Sequence, residues 1–326
     1  MTLFRLTVAS IFAIPASCTA QTLTESQDAE FELPRQAIVF VHHSDAGRRD
    51  YDLWQIAADG TQLASVLTLP GRQTQFTISP DGNHIVYVDS VEDEDGDRRR
   101  SLFRRAFQGG ERTQIGSDSS NNTSPVWSPD GQQLLFASDR DSKQPELYLY
   151  DFGTEKTQRV TQNEWHESPG GWSPDGRKIL FTRYLPADED KQQDGRGAIV
   201  ELTLSDRSEQ VLTQLSGYCG SPSFSPDGRQ IAFHRTADSG SELWLMDADG
   251  GNARAITDSF VDEYSPAWSP DGQWIVYTAG TGQDGHGTFD LWLIRPDGSD
   301  RRLVTAAANT QMSPQFRPGD SFLLGR

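Results

Sequence analysis

The tetrapeptide Ser-Pro-Asp-Gly occurs five times and constrains the fold of this chain more than any other feature. The spacings between successive copies are 49, 45, 52 and 44 residues, and a degenerate sixth copy begins at Arg317, 48 residues after the fifth. A period of this length is typical of β-propellers, in which each repeat is one blade of four strands. The sequence therefore predicts six repeats. The five intact copies begin at Ser79, Ser128, Ser173, Ser225 and Ser269.

A complete repeat contains four short apolar runs that end at Gly, Asp or Pro. The unit from Ser221 to Thr257 reads SPSFSPDG, RQIAFHRTA, SELWLMDADGG and NARAIT, which is typical of consecutive antiparallel strands joined by tight turns. Ser-Pro-Asp-Gly is then the turn between the first and second strands. Proline fixes its own φ, Asp accepts backbone hydrogen bonds and Gly takes a left-handed conformation. This assigns a structural turn role to Asp81, Asp130, Asp175, Asp227 and Asp271.

The two ends of the chain complement each other. The first unit, from Ala37, lacks a Ser-Pro strand, whereas the last unit supplies SPQF with little after it. Pairing these strands would complete one blade and remove exposed sheet edges. The predicted fold is an all-β, six-bladed propeller of four-stranded antiparallel blades, closed by pairing of the N- and C-terminal strands.

The first twenty residues have the pattern of a secretory signal. Arg5 precedes an apolar stretch from Leu6 to Ala16, and small residues lie at Cys18 and Ala20, which predicts cleavage after Ala20. Lipidation at Cys18 is the alternative. The predicted organisation is a signal peptide at 1–20, a flexible leader at 21–36 and a propeller at 37–326, with no transmembrane segment because the apolar run is too short. The expected location is the periplasm or the exterior.

Composition narrows the class of partner. The formal net charge is −18, so the surface is expected to repel nucleic acid and anionic membranes. Cleavage would leave Cys219 as the only cysteine, so no intramolecular disulfide is predicted and this thiol is interpreted as a small buried filler. We expect a monomer.

The repeats resemble a known family. Units such as NNTSPVWSPDGQQLLFASDRDSKQPELYLYDFGTEKTQRVTQN are similar to the WD40-like (PD40) repeats of TolB-type propellers. The resemblance implies a six-bladed propeller and, from TolB itself, a periplasmic role in binding the peptidoglycan-associated lipoprotein. Sixteen residues between the predicted cleavage point and the first blade leave no room for the N-terminal domain of TolB. Peptidase relatives carry a hydrolase domain with Gly-x-Ser-x-Gly, and this sequence lacks that motif.

The residues just before each Ser-Pro vary between repeats, whereas the Ser-Pro-Asp-Gly turns and the apolar runs recur. Loops that enter the innermost strands of a propeller converge on its axis, so these positions predict a ring that binds a partner or ligand. The ring combines aromatic, amide and acidic groups, while ordinary solvated loops are the alternative interpretation. Its members are Arg72, Gln73, Asn121, Asn122, Trp165, His166, Glu167, Tyr218, Asp262, Glu263, Tyr264 and Gln311.

Catalytic and metal sites are weakly indicated. His166, Glu167, Asp262 and Glu263 have suitable side chains but belong to non-neighbouring repeats, so no catalytic residue is assigned. The run from Asp190 to Glu201 partly matches a calcium-loop template, with Asp190, Asp194 and Glu201 as candidate ligands, although Gln192 departs from it. No cofactor is expected, with calcium as the exception that the template leaves open.

Three functions remain open from the sequence. The leading hypothesis is an exported, non-enzymatic scaffold that presents its axial ring to an envelope protein or peptide. The first alternative is a hydrolase or lyase that acts on a saccharide in the axial pocket. The second is a sensor for a small ligand or calcium.

Overall fold

The computed structural model describes ten stretches of the chain. They are 32–43, 51–68, 75–92, 98–116, 120–185, 196–213, 217–237, 240–280, 288–305 and 310–319. Within them the secondary structure is β, and no helix has the length and apolar character needed to cross a membrane. The candidate calcium ligands Asp190 and Asp194, the ring residues Arg72 and Gln73, and Cys18 lie outside these stretches.

Sixteen of the 24 described strands form four antiparallel sheets of four, the sheet size that the repeat layout predicts. One sheet has the order β24-β1-β2-β3, with β1 (Ile38–His43), β2 (Tyr51–Ile56), β3 (Ala64–Leu67) and β24 (Thr310–Phe316). The next contains β4 (Phe76–Ile78), β5 (His84–Glu92), β6 (Arg98–Ala106) and β7 (Thr113–Ile115). A third contains β8 (Asn122–Trp127), β9 (Gln133–Ser138), β10 (Glu146–Asp151) and β11 (Lys156–Arg159).

The remaining strands form an eight-stranded sheet and one further sheet of four. The larger sheet contains β12 (His166–Trp172), β13 (Lys178–Leu185), β14 (Arg196–Thr203), β15 (Glu209–Val211), β16 (Tyr218–Phe224), β17 (Gln230–Ala237), β18 (Gly240–Asp247) and β19 (Arg254–Ala255). The last sheet contains β20 (Asp262–Trp268), β21 (Ile275–Gly280), β22 (Phe289–Ile294) and β23 (Arg302–Leu303). The prediction of an all-β propeller with four-stranded antiparallel blades is confirmed.

The count of six separate blades needs correction. The described residues form four separate four-stranded sheets, and the other eight strands belong to one sheet. A single parallel residue pair, Gly197 with Tyr218, joins β14 to β16. Gly197 permits this approach because a Cβ there would lie 2.4 Å from Cδ2 of Tyr218.

The last strand of the chain lies beside the first. β24 pairs antiparallel with β1, with Ile38 opposite Phe316 and His43 opposite Thr310. The strand that supplies the innermost position of this blade therefore comes from the far end of the sequence.

The core lies between blades. An aromatic residue recurs in the strand that follows each Ser-Pro-Asp-Gly turn, and each of these side chains is at most 2% exposed. They are Tyr87, Phe136, Phe181, Phe233 and Tyr277. Each packs within an apolar cluster, and these clusters join residues of different strand sets. Alternation along each strand directs one set of side chains to each neighbouring blade, which buries both faces.

The Ser-Pro-Asp-Gly segments are tight turns held by their own side chains. In the third blade Ser128 Oγ donates to Asp130 Oδ1 over 2.6 Å, and the Gln132 N–H donates to the same oxygen over 3.0 Å. Gly131 has φ of +69°, a conformation that glycine adopts at little cost. These contacts hold the pKa of Asp130 below its usual value, with the Ser128 hydrogen bond the largest cause.

Replacing Asp130 by alanine is expected to lower the free energy of unfolding by about 1 kcal/mol. The change removes the acceptor for both hydrogen bonds of this turn, while the asparagine variant keeps an oxygen at the same position. Urea denaturation of both variants measures the effect. Equal losses in the two would show that the negative charge, and not the acceptor, stabilises the turn.

Candidate functional site

The innermost strand of each strand set lines a shared cavity. The cavity has a volume of about 600 Å³ and is bordered by β4, β8, β12, β16, β20 and β24. Five Ser-Pro pairs of these strands line its walls, and two glutamines contribute amide groups. These pairs are Ser124-Pro125, Ser168-Pro169, Ser221-Pro222, Ser265-Pro266 and Ser313-Pro314, and the glutamines are Gln75 and Gln315.

The Ser-Pro pairs form bulges in the innermost strands. Ser124, Ser221, Ser265 and Ser313 have φ between 51° and 53°, which is uncommon for a residue other than glycine. Strand pairing shifts register across all four of these pairs, as between Tyr264 and Ala267. A bulge places two residues opposite one and re-aims the side chains that follow.

Hydrogen bonds between neighbouring strand sets surround the cavity. Trp172 Nε1 donates to the Val126 carbonyl and Trp268 Nε1 donates to the Ser223 carbonyl, each over 3.3 Å. Gln315 Nε2 donates to the Phe76 carbonyl over 3.0 Å. These bonds link neighbouring innermost strands around the cavity.

The cavity and the predicted ring are different parts of the molecule. None of the ring residues that the structure describes is among the residues lining the cavity. They lie instead where the innermost strands begin: His166 starts β12, Tyr218 starts β16 and Asp262 starts β20. We call this end of the strands the start face, and the opposite end, which carries the Ser-Pro-Asp-Gly turns, the turn face.

Two acidic ring residues are buried in ion pairs. The Glu167 side chain is fully buried, and its Oε1 lies 2.6 Å from Arg183 Nη2 and 3.0 Å from Asn163 Nδ2. Glu263 is also fully buried, with Oε1 3.0 Å from Arg301 Nη2 and 2.8 Å from Ser259 Oγ. Burial raises the pKa of both carboxyl groups, and hydrogen bonds and the arginines oppose that shift. These contacts give both glutamates a structural role at the starts of β12 and β20.

The amide members of the ring bind other parts of the chain. Asn121 Nδ2 donates to Asp139 Oδ2 over 2.8 Å. The buried Asn122 accepts from Arg140 Nη2 over 3.0 Å, and the buried Gln311 accepts from Thr305 Oγ1 over 3.3 Å. Their side chains therefore stabilise the starts of β8 and β24.

The other ring residues reach the surface. His166 is exposed, while Trp165, Tyr218, Asp262 and Tyr264 are partly exposed. Two further aromatic side chains were missed by the sequence analysis: Phe260 is fully exposed, and Tyr184 is 48% exposed. Phe260 could have been found by position, because it follows Thr257 in the loop before β20 much as Trp165 follows Thr161 before β12.

Five rings form a continuous row at the start face, which we call the aromatic row: Tyr184, Tyr218, His234, Tyr264 and Phe289. Successive ring centroids are 6.3, 5.7, 5.2 and 6.1 Å apart in that order. The row crosses from the eight-stranded sheet to the last blade.

Three glycines make room for the rings of the row. A Cβ on Gly220 would lie 2.4 Å from Cε1 of Tyr218, and one on Gly280 would lie 2.8 Å from Cδ1 of Phe289. Gly197 lies against the other edge of the Tyr218 ring. The backbone thus supports the row closely, and any larger residue at these positions would displace a ring.

His234 is the buried centre of the row. Its side chain is 7% exposed, and its Nδ1 has no hydrogen-bond partner among the described residues. Burial lowers its pKa to about 4. The imidazole is therefore uncharged at neutral pH.

The described residues contain no cluster of three or more His, Cys, Asp or Glu side chains placed to hold a metal ion. Of the candidate calcium ligands, only Glu201 is described, and its Oε1 lies 2.7 Å from Lys178 Nζ. Cys219 is fully buried, and burial raises the pKa of its thiol to about 11. A thiol with this pKa is almost entirely protonated at neutral pH.

The repeats match one family model over most of the chain. The TolB beta propeller domain (PD40) matches residues 23–184 and 191–325. The chain belongs to the TolB β-propeller family. The relatives that the chain matches differ in total length.

Two relatives illustrate this range. The uncharacterized peptidase YuxL of Bacillus subtilis is 28% identical over 224 residues, which are 68% of this chain and 31% of the relative. The Tol-Pal system protein TolB of Anaeromyxobacter dehalogenans is 31% identical over 167 residues, which are 51% of this chain and 26% of the relative. The chain matches about a third or less of the length of each.

Solved structures share the propeller. TolB from Acinetobacter baumannii has a TM-score of 0.71 and 26% identity, covering 87% of this chain and 67% of that one. An oligogalacturonate lyase in complex with manganese has a TM-score of 0.54 and 18% identity, covering 85% and 75%. At that identity the lyase shows the fold alone.

Proposed function

We propose that this TolB-like protein is an exported, non-enzymatic scaffold of the periplasm that binds an envelope protein or peptide through its start face. The single observation that carries the proposal is the set of aromatic side chains exposed there, above all Phe260. Exposed aromatic residues are enriched in the centres of protein interfaces, where they contribute most of the binding energy. The Tol-Pal system name of one relative and the signal-like N-terminal sequence support the location.

The proposal includes a closed ring of six blades. The eight-stranded sheet divides into two sets of four strands that a single residue pair connects, which supports two blades there. The pairing of β24 with β1 supports closure. A closed ring is a rigid platform, and rigid presentation lowers the entropy cost of binding.

The buried acids count against the saccharide hydrolase or lyase. Such an enzyme needs an acid or base within hydrogen-bond reach of its substrate. The best candidates for that role, Glu167 and Glu263, are fully buried and bind Arg183 and Arg301. The two acids stabilise the start face without lining the cavity.

Affinity capture from a periplasmic extract tests the scaffold proposal. The bait is the mature protein, compared with a variant in which Trp165 and Phe260 are both replaced by alanine. Loss of the partner from this variant is the expected result, because both side chains lie at the start face and are at least partly exposed.

A matched control removes exposed apolar side chains elsewhere. Val211 and Leu303 are 49% and 44% exposed on the outermost strands β15 and β23, and their alanine variant should retain the partner. Capture of the same proteins by all three baits would contradict the proposal. Release of oligosaccharide products by the wild type would favour the enzyme instead.

A further inference from the structure

Arginines cover most aromatic clusters in this protein. Arg112 lies 4.1 Å from the ring centroid of Phe103, and Arg140 lies 4.7 Å from that of Tyr148. Arg301 lies 4.6 Å from the ring of Trp292. Stacking a guanidinium on an aromatic face is favourable because the ring has a negative quadrupole face.

The aromatic row differs from these clusters. Within the described stretches of the chain, no arginine or lysine stacks on any of its five rings. Two of the arginines near it contact other groups: Arg183 binds Glu167 and Glu209, and Arg235 lies 5.1 Å from the ring of Trp244. Four rings of the row, those of Tyr184, Tyr218, Tyr264 and Phe289, are therefore at least partly exposed and carry no stacked cation from the described residues.

An acidic group lies at the same place. Asp262 and Tyr264 are two residues apart on β20, so their side chains are on the same face of that strand. Asp262 Oδ1 accepts a hydrogen bond from the Ser241 N–H over 3.0 Å, which fixes the carboxylate beside β18. A carboxylate next to aromatic faces favours a cation over a neutral or anionic group.

We propose that the aromatic row binds a lysine or arginine side chain from a basic segment of the partner, with Asp262 as its counter-charge. This inference rests on the proposed scaffold function and specifies the chemistry of the partner. The net charge of −18 is complementary to such a segment. His234 does not oppose it, because its imidazole is uncharged at neutral pH as described above.

Synthetic peptides test the chemistry without an identified partner. Isothermal titration compares acetyl-(Gly-Lys)₄-amide with the matched norleucine and glutamate peptides, at an ionic strength of about 0.15 M to screen long-range attraction. Only the lysine peptide is expected to bind the mature protein. Equal binding of the norleucine peptide, or no binding of the lysine peptide, would overturn the inference.

Variants locate the binding. Replacing Tyr184 and Tyr264 together by leucine should weaken binding of the lysine peptide by about fivefold or more. Phe152→Leu is the matched control, because it removes an aromatic ring that Arg104 already covers at 5.0 Å. Both variants keep the net charge, so equal affinity in the two would mean non-specific attraction and overturn the inference.

A second variant tests the same site in case the double leucine variant does not fold. Asp262→Asn keeps an oxygen for the Ser241 N–H while removing the charge, and should weaken lysine-peptide binding with the melting temperature unchanged. An unchanged affinity would overturn the role of Asp262 and with it the inference. Should the Trp165 and Phe260 variant lose its partner while the lysine peptide fails to bind, the scaffold function stands and the cation site falls.

Discussion

Replacing Glu167 by alanine is expected to lower the free energy of unfolding by about 3 kcal/mol, the lower end of the range for breaking a buried ion pair. The variant leaves Arg183 without its buried partner, and the Arg183 side chain is only 13% exposed. Glu209 retains Arg183 on its other side, at 2.8 Å, which limits the loss. Urea denaturation followed by tryptophan fluorescence measures the change.

Glu209→Ala is the matched control for this prediction. It removes a partner of the same arginine, but the Glu209 side chain is 33% exposed, and exposed ion pairs contribute about 1 kcal/mol or less. Equal losses in the two variants would contradict the assignment of Glu167 as a buried structural group. Because Glu167 stabilises the fold, weaker partner binding by a Glu167 variant counts as evidence about the site only if the variant is folded under the conditions of the assay.

The fold could be predicted from the sequence because its information is local and repeated. The turn needs Pro, Asp and Gly at fixed positions, and the observed hydrogen bonds of Asp130 depend on residues within two positions of it. Strand alternation then follows from the period of two. The joining of two strand sets through Gly197 and Tyr218 could not be predicted, because it depends on the absence of one Cβ next to one ring.

The candidate site was less predictable because neighbouring positions on a strand face opposite ways. His166 is exposed and Glu167 is fully buried although they are adjacent, and the Ser-Pro bulge changes which residues face the cavity. The position before Ser-Pro identifies the start face but does not decide the direction of a side chain. Tyr184 and Phe289 join the aromatic row from the second and third strands of different repeats, so no single motif contains them.

Lowering the pH from about 6.5 to 4 is expected to destabilise the wild type through His234. The unfolded imidazole has a pKa of about 6.5, whereas burial lowers the native pKa to about 4. Between these values the unfolded state binds a proton that the native state does not, so stability falls as the pH falls. The loss reaches about 3 kcal/mol once the pH is below both values.

His234→Phe isolates this contribution because it keeps an aromatic ring in the row and removes the titrating group. Its free energy of unfolding should depend less steeply on pH between 6.5 and 4 than that of the wild type, as measured by urea denaturation across the range. Glu167 and Glu263 titrate in both proteins and cancel in the difference. Asp81, whose pKa its hydrogen bond with Ser79 lowers to about 2, acts at lower pH. Parallel curves would show that the pKa of His234 is the same in the native and unfolded states, which would contradict its description as a buried imidazole that stays uncharged down to about pH 4.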